Sequence, residues 1–129
     1  MTAQPETTSR PDAEVVRLCS DLIRFDTSNF GPDGSRGERE AAEYVAAQLD
    51  EVGIEATLYE SEPRRTTVVA HWEPEGCDPS LPPLLIHGHT DVVPAVASDW
   101  TVDPFSGEVT DGCVWGRGAV DMKDFDAML

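Results

Sequence analysis

In the stretch PLLIHGHTDVVP (83–94), two histidines and a carboxylate, His87, His89 and Asp91, stand two residues apart. On an extended backbone alternate side chains share a face, so all three can point the same way. A neutral imidazole is a good metal ligand, and its second ring nitrogen needs a partner that fixes the tautomer. Asp91, two residues beyond His89, is placed to be that partner. At the carboxyl end of a strand in an α/β sheet, such residues line the crevice where these folds hold ligands. H-x-D is also a short and common pattern. On this pattern alone, a hydrogen-bonded structural histidine beside a surface aspartate is the readier reading.

A second group lies in GRGAVDMKD (116–124). Its two glycines allow a tight turn or a close approach of the backbone to another group. Asp121, after them, reads in two ways. It is a ligand, or it is a carboxylate favoured at a helix N-terminus by free N–H groups and the helix dipole.

The elements that must carry these residues follow from periodicity. Apolar residues at helical spacing from Val15 to Ile23, behind Asp12, predict a helix over about 12–25. DTSNFGPDGS (26–35) is dense in turn formers and reads as a loop. Ser35 and Glu38 fit a capping box for a second helix over about 36–52, with Gly53 as its stop. IEATLYE (54–60) and RTTVVAHW (65–72) read as strands, and the Pro- and Gly-punctuated 73–83 as a loop. The apolar run 84–88 is expected to be a strand covered on both faces. Asp111-Gly112 marks a two-residue hairpin turn. DMKDFDAML begins a last helix. The expectation is an α/β fold with helices flanking a mixed sheet, over residues 12–129, preceded by a disordered arm at 1–11.

Composition narrows the partners. Nine basic against 25 acidic residues give a formal charge of −16, which repels phosphate backbones and anionic lipid. Neither nucleic acid nor a membrane is an expected partner. Three cysteines, an odd number with no C-x-x-C pair, argue against a disulfide framework and a cysteine zinc knuckle. The polar N-terminus has no apolar signal-peptide core, and no apolar run approaches the roughly 20 residues of a membrane span. A soluble, cytoplasmic protein is expected.

Taken together, GHTDVVP (88–94), WTVDPFSGEV (100–109) and GRGAVDMK (116–123), in this order and spacing, resemble the M20 family of metallopeptidases. That family includes aminoacylases, succinyl-diaminopimelate desuccinylase, acetylornithine deacetylase and glutamate carboxypeptidases. The resemblance implies the N-terminal part of a zinc-hydrolase catalytic domain that cleaves a peptide or N-acyl amide bond with metal-activated water. It implies two Zn²⁺ per site, with Co²⁺ or Mn²⁺ as substitutes. His89 would bind one zinc, and Asp91 would hold and polarise its imidazole. Asp121 would bridge both metals, with a cis peptide bond after it. Substrates would be small peptides or N-acyl amino acids, and the full-length protein could be a homodimer. The remaining ligands would come from later segments: a Glu-Glu pair that includes the general base, a further acidic residue and a distant histidine. No Glu follows Glu108 and no His follows His89. The chain is therefore expected to be an N-terminal fragment that holds half of a site and is inactive alone.

Other residues are expected to have plainer roles. His87 would be a neighbouring or packing residue and His71 structural. Trp100 and Phe105 would pack, and Arg117 and Lys123 would be surface charges. Cys113, with no base beside it, is discounted as a nucleophile. Asp124 stands where the family commonly has Gly, which affects the local turn. Two other readings stay open at this level. One is a non-catalytic binding module of the same fold. The other is a Mg²⁺-dependent α/β phosphohydrolase using Asp91 and Asp121, although hard Mg²⁺ prefers oxygen ligands to a histidine.

Overall fold

The computed structural model describes residues 11–32 and 34–129. The expected arm lies outside the described residues except for Pro11, which opens helix α1 (Pro11–Ile23). Proline suits the first helical position, where its missing N–H would have no partner. Asp12 and Glu14 follow in the first turn, where the dipole favours acids. The helix stops short of residue 25 because the Arg24 and Phe25 N–H groups tighten onto the Asp21 and Leu22 carbonyls, three residues back.

Helix α2 spans Arg39–Glu51 and ends at Gly53, whose φ of 79° suits glycine. The expected capping box does not form. Glu38 is itself the N-cap, with no side-chain cap, and Ser35 Oγ donates to Asn29 Oδ1 instead (2.7 Å). The Glu38 carboxylate is buried, and it takes the Arg65 guanidinium as partner (2.9 Å) because a buried charge without one is costly. Polar contacts tie α2 to α1. The Tyr44 hydroxyl donates to Asp21 (2.9 Å), and Arg17 donates to Gln48 (2.8 Å).

Strands β1 (Ala56–Glu62) and β2 (Arg65–Ala70) pair antiparallel and pack on α2. Strands β3 (Glu108–Thr110) and β4 (Cys113–Trp115) form a hairpin about Asp111 and Gly112. Both turn residues have positive φ, 51° and 76°, as a type I′ turn requires. A short 3₁₀ turn at Ala97–Asp99 and helix α3 (Lys123–Met128) complete the described elements. Helices and strands therefore combine as an α/β fold. Within each sheet the pairing is antiparallel, and the parallel element is an isolated bridge between Ser28 and Val92.

The core is small. Cys19, Leu22 and Ile23 of α1 meet Ala127 of α3, with Leu18, Tyr44, Val45, Val114 and Ala119 around them. The backbone at Gly116 passes so close that a Cβ there would stand 2.4 Å from Ile23 Cγ2. Only glycine permits that approach. No helix among the described residues is long and apolar enough to cross a membrane.

The apolar run 84–88 departs from expectation, because it is neither a strand nor buried. Leu84 and Leu85 are 83% and 85% exposed. A strand exists only against an edge that supplies hydrogen bonds, and neither two-stranded sheet pairs with this run. Order begins just beyond it. Asn29 N–H donates to Val92 O (2.9 Å), Val92 N–H donates to Thr27 O (3.1 Å), and the Thr27 hydroxyl donates to Thr90 O.

Helix α3 brings Asp126 against the same segment. A Cβ on Gly88 would lie 2.1 Å from Asp126 Oδ1, while Oδ2 is buried with no hydrogen-bond partner. Burial raises the pKa of this carboxyl to about 6, with His89 and Lys123 opposing and Asp124 adding to the rise. Between 3.8 and about 6 the folded chain holds a proton that the unfolded chain has released. Stability therefore falls as pH rises through that window. Asp126→Asn removes the buried charge. Thermal melts should show a stabilisation on the order of 1–2 kcal/mol at neutral pH, and none near pH 3.5.

Candidate metal centre

His89 sits between two carboxylates. Its Nδ1 lies 3.0 Å from the Asp91 carbonyl oxygen and 3.2 Å from Asp91 Oδ1, and its Nε2 lies 3.2 Å from Asp121 Oδ1. Both partners of Nδ1 are acceptors, so that nitrogen carries hydrogen. Nε2 then presents its lone pair toward a carboxylate oxygen. Two acceptors face each other stably only with a positive charge between or upon them, either a proton on the ring or a metal ion. Burial disfavours the charged ring, but the Asp91 carbonyl bond and the charges of Asp91 and Asp121 outweigh it. The His89 pKa is raised above the usual 6.5.

Asp91 is held at its other oxygen, where Asn29 Nδ2 donates to Oδ2 (2.8 Å). Asp121 is the most open of the three, with its side chain 82% exposed. It follows the glycine-rich turn and precedes a cis peptide bond to Met122. It is not the N-cap of α3; Met122 is, and no side chain caps that helix. Asn29, His89, Asp91, Val92, Val93 and Asp121 line a shallow hollow of about 200 Å³. A larger one of about 300 Å³, lined by Glu38 and residues of β1 and β2, shares none of them.

The donor chemistry fits a metal in part. Two ligands about 2.1 Å from a tetrahedral zinc stand roughly 3.4 Å apart. The 3.2 Å between His89 Nε2 and Asp121 Oδ1 is close to that. Among the described residues no group of three or more His, Cys, Asp or Glu converges. Nitrogen and oxygen donors are present, and their number falls short of a closed site.

Other expectations fare differently. His87 is exposed and does not line the hollow, so it does not pack as expected. His71 lies at the surface beside Glu73 (3.1 Å). Cys113 is exposed. Arg117 is not a free surface charge, since its guanidinium stacks over Trp100 at 5.2 Å and its Nε is buried. Lys123 is the larger correction, being completely buried. Its ammonium donates to the Leu22 and Phe25 carbonyls, both at 2.9 Å. These oxygens belong to the open C-terminal end of α1, where cations and donors are favoured. The sequence carried one signal for this, because Lys123 shares a helical face with the apolar Ala127, four residues on.

Burial lowers the Lys123 pKa to about 8, with the charges of Asp26 and Asp126 resisting. Between about 8 and 10.5 the unfolded chain holds a proton the folded chain has lost, so this group makes stability rise with pH there. Lys123→Met removes the ammonium donor from both carbonyls, which keep only the Phe25 and Thr27 backbone N–H groups. Denaturant titration should show a loss on the order of 1–3 kcal/mol at pH 7, and the variant should lack the rise above pH 8.

Residues 85–129 match the family model Peptidase family M20/M25/M40. The chain is 35% identical over 110 residues to the cysteinylglycine-S-conjugate dipeptidase of Corynebacterium striatum, covering 84% of this chain and 24% of that protein. It is 36% identical over 111 residues to a succinyl-diaminopimelate desuccinylase of Cereibacter sphaeroides, covering 85% and 27%. It is 36% identical over 109 residues to aminoacylase-1 of Sus scrofa, covering 84% and 25%. The chain thus spans about a quarter of the length of these curated relatives. The family match spans both the histidine and the aspartate segments, and the relatives align along most of the chain, so over these residues the chain is similar to peptidase family M20.

Proposed function

We propose that residues 12–129 are the N-terminal part of the catalytic domain of a metal-dependent hydrolase, acting in the cytoplasm on peptide or N-acyl amide bonds. The observation that carries this reading is the convergence of His89 Nε2 on Asp121 Oδ1, with Nδ1 already committed to Asp91. His89 and Asp121 are the metal ligands in this chain, and Asp91 fixes the imidazole so that Nε2 faces the ion. A nitrogen donor beside carboxylates favours zinc, with cobalt or manganese as substitutes, over magnesium. When bound, the metal pair supplies an activated water and polarises the substrate carbonyl.

The rest is done by protein groups. Asp91 holds the proton on Nδ1, and the tether between residues 27–29 and 90–92 fixes the backbone of the Asp91 segment. Asp121, exposed at the rim, is free to join donors from outside the described residues. The dipeptidase, desuccinylase and aminoacylase names of the relatives support small peptide or N-acyl amino acid substrates. Homodimerisation of the longer protein is part of the same proposal.

The reading is tested in two steps. Zinc titration of the 129-residue chain should show weak binding that His89→Ala and Asp121→Asn abolish, with no hydrolysis of N-succinyl, N-acetyl or dipeptide substrates. The longer protein containing it should hydrolyse one of these classes, lose activity to a chelator and regain it with zinc. Asp91→Ala there should reduce turnover about 10- to 100-fold. Zinc binding undiminished in His89→Ala, or turnover by the chain alone, overturns the reading.

A further inference from the structure

Asn29 occupies an unusual place among the groups around His89. Its backbone N–H holds Val92 O (2.9 Å), while its side chain reaches Asp91. The orientation of the amide follows from its partners. Asn29 Oδ1 accepts from the Gly31 backbone N–H (2.9 Å) and from the Ser35 hydroxyl (2.7 Å). A backbone N–H can only donate, so the oxygen end must face it, and the NH₂ end must face Asp91. The Nδ2 donor then meets Asp91 Oδ2 at 2.8 Å, a charge-assisted bond. The opposite oxygen of the same carboxylate lies 3.2 Å from His89 Nδ1. A chain of contacts therefore runs from Ser35 through Asn29 and Asp91 to His89, and ends at Asp121.

The chain decides a competition on the His89 ring. A neutral imidazole carries one hydrogen. The Asp91 backbone carbonyl, 3.0 Å from Nδ1, and the Asp91 carboxylate beside it draw it to Nδ1, while Asp121 Oδ1, 3.2 Å from Nε2, draws it to the other side. Only the first outcome leaves Nε2 with a lone pair for a metal. An aspartate carboxylate rotates freely about its last bond unless both oxygens are held. Asn29 holds the far oxygen, which keeps the near one, and its charge, beside Nδ1.

We propose that Asn29 is a positioning residue that acts through Asp91 to select the Nδ1–H tautomer of His89. The proposal rests on the metal-centre reading above for its consequence, but its cause is visible in the metal-free chain. Asn29→Asp is the sharp variant. It preserves volume and keeps an acceptor for Gly31 and Ser35, but sets a carboxylate against Asp91 in place of a donor. The reciprocal pair Asn29→Asp with Asp91→Asn restores a donor–acceptor contact with its direction reversed, and still leaves an amide oxygen for His89 Nδ1.

The test is long-range ¹H–¹⁵N spectroscopy of the histidine rings in the metal-free chain, at about pH 9, where imidazole is neutral. The original chain should show His89 predominantly as Nδ1–H. Asn29→Asp should shift it toward Nε2–H, and the reciprocal pair should return it, with thermal melts confirming that both variants fold. If Asn29→Asp does not fold, Asn29→Ala decides in its place, since it removes the donor without adding a charge, and an unmoved tautomer there overturns the proposal. A His89 tautomer unmoved by Asn29→Asp overturns it as well. Zinc titration of these variants is the second readout: about a tenfold weakening in Asn29→Asp, reversed in the pair, supports the relay. Failure of the metal-centre reading is distinguishable, because it shows as zinc binding indifferent to His89→Ala while the tautomer shifts remain.

Discussion

An ammonium group with no water around it organises this fold. Lys123 lies just past the turn that presents Asp121, and its Nζ closes the open end of α1 through the Leu22 and Phe25 carbonyls. That contact holds three things at once. It caps the end of the first helix, it seats α3 on the Cys19–Ile23 core, and it fixes where the loop from Asp26 begins. The loop in turn holds the Asp91 segment through the Ser28–Val92 bridge. Burying a cation is unfavourable unless it is well hydrogen-bonded, and the fall of its pKa to about 8 records that tension. Each carbonyl also accepts one backbone N–H, from Phe25 and from Thr27, and the ammonium occupies its second lone pair.

With the loop so placed, donors converge on Asp91 from two sides. They run from Ser35 to Asn29 and then to Asp91, and from the His89 Nδ1–H back to Asp91. Negative charge accumulates at the far end, where Asp121 is open to solvent. An acidic chain of net charge −16 adds to that field. A cation is attracted to such a place over some distance, and free carboxylates are repelled from it.

Much of this is legible in the sequence, and the failures have physical causes. Helices α1 and α2, the hairpin about Asp111-Gly112 and the β1–β2 pair follow from local periodicity and turn chemistry, which depend on near neighbours. His89, Asp91 and Asp121 are legible because their spacing is part of a motif, and the structure brings these three together. Lys123 escapes a sequence reading, because a lysine is a surface residue unless something distant in sequence needs its protons, and Leu22 is 101 residues away. The Ser35–Glu38 box fails because each side chain has a stronger partner across the fold, Asn29 for one and Arg65 for the other. Asn29 gives no signal beyond a turn-rich loop. The apolar run at 84–88 has the composition of a covered strand, but composition cannot supply the edge that a strand must pair with.

That run has a mechanical meaning for the histidine that follows it. Residues 82–89 make no backbone hydrogen bond to any described residue, whereas Val92 is held by two. His89 is thus clamped by the backbone on its C-terminal side only, while its ring is steadied by Asp91 and Asp121 and Gly88 behind it rests against Asp126 of α3. The ring's precision therefore depends on two peptide bonds, a loop and these side-chain contacts rather than on the strand-like residues before it.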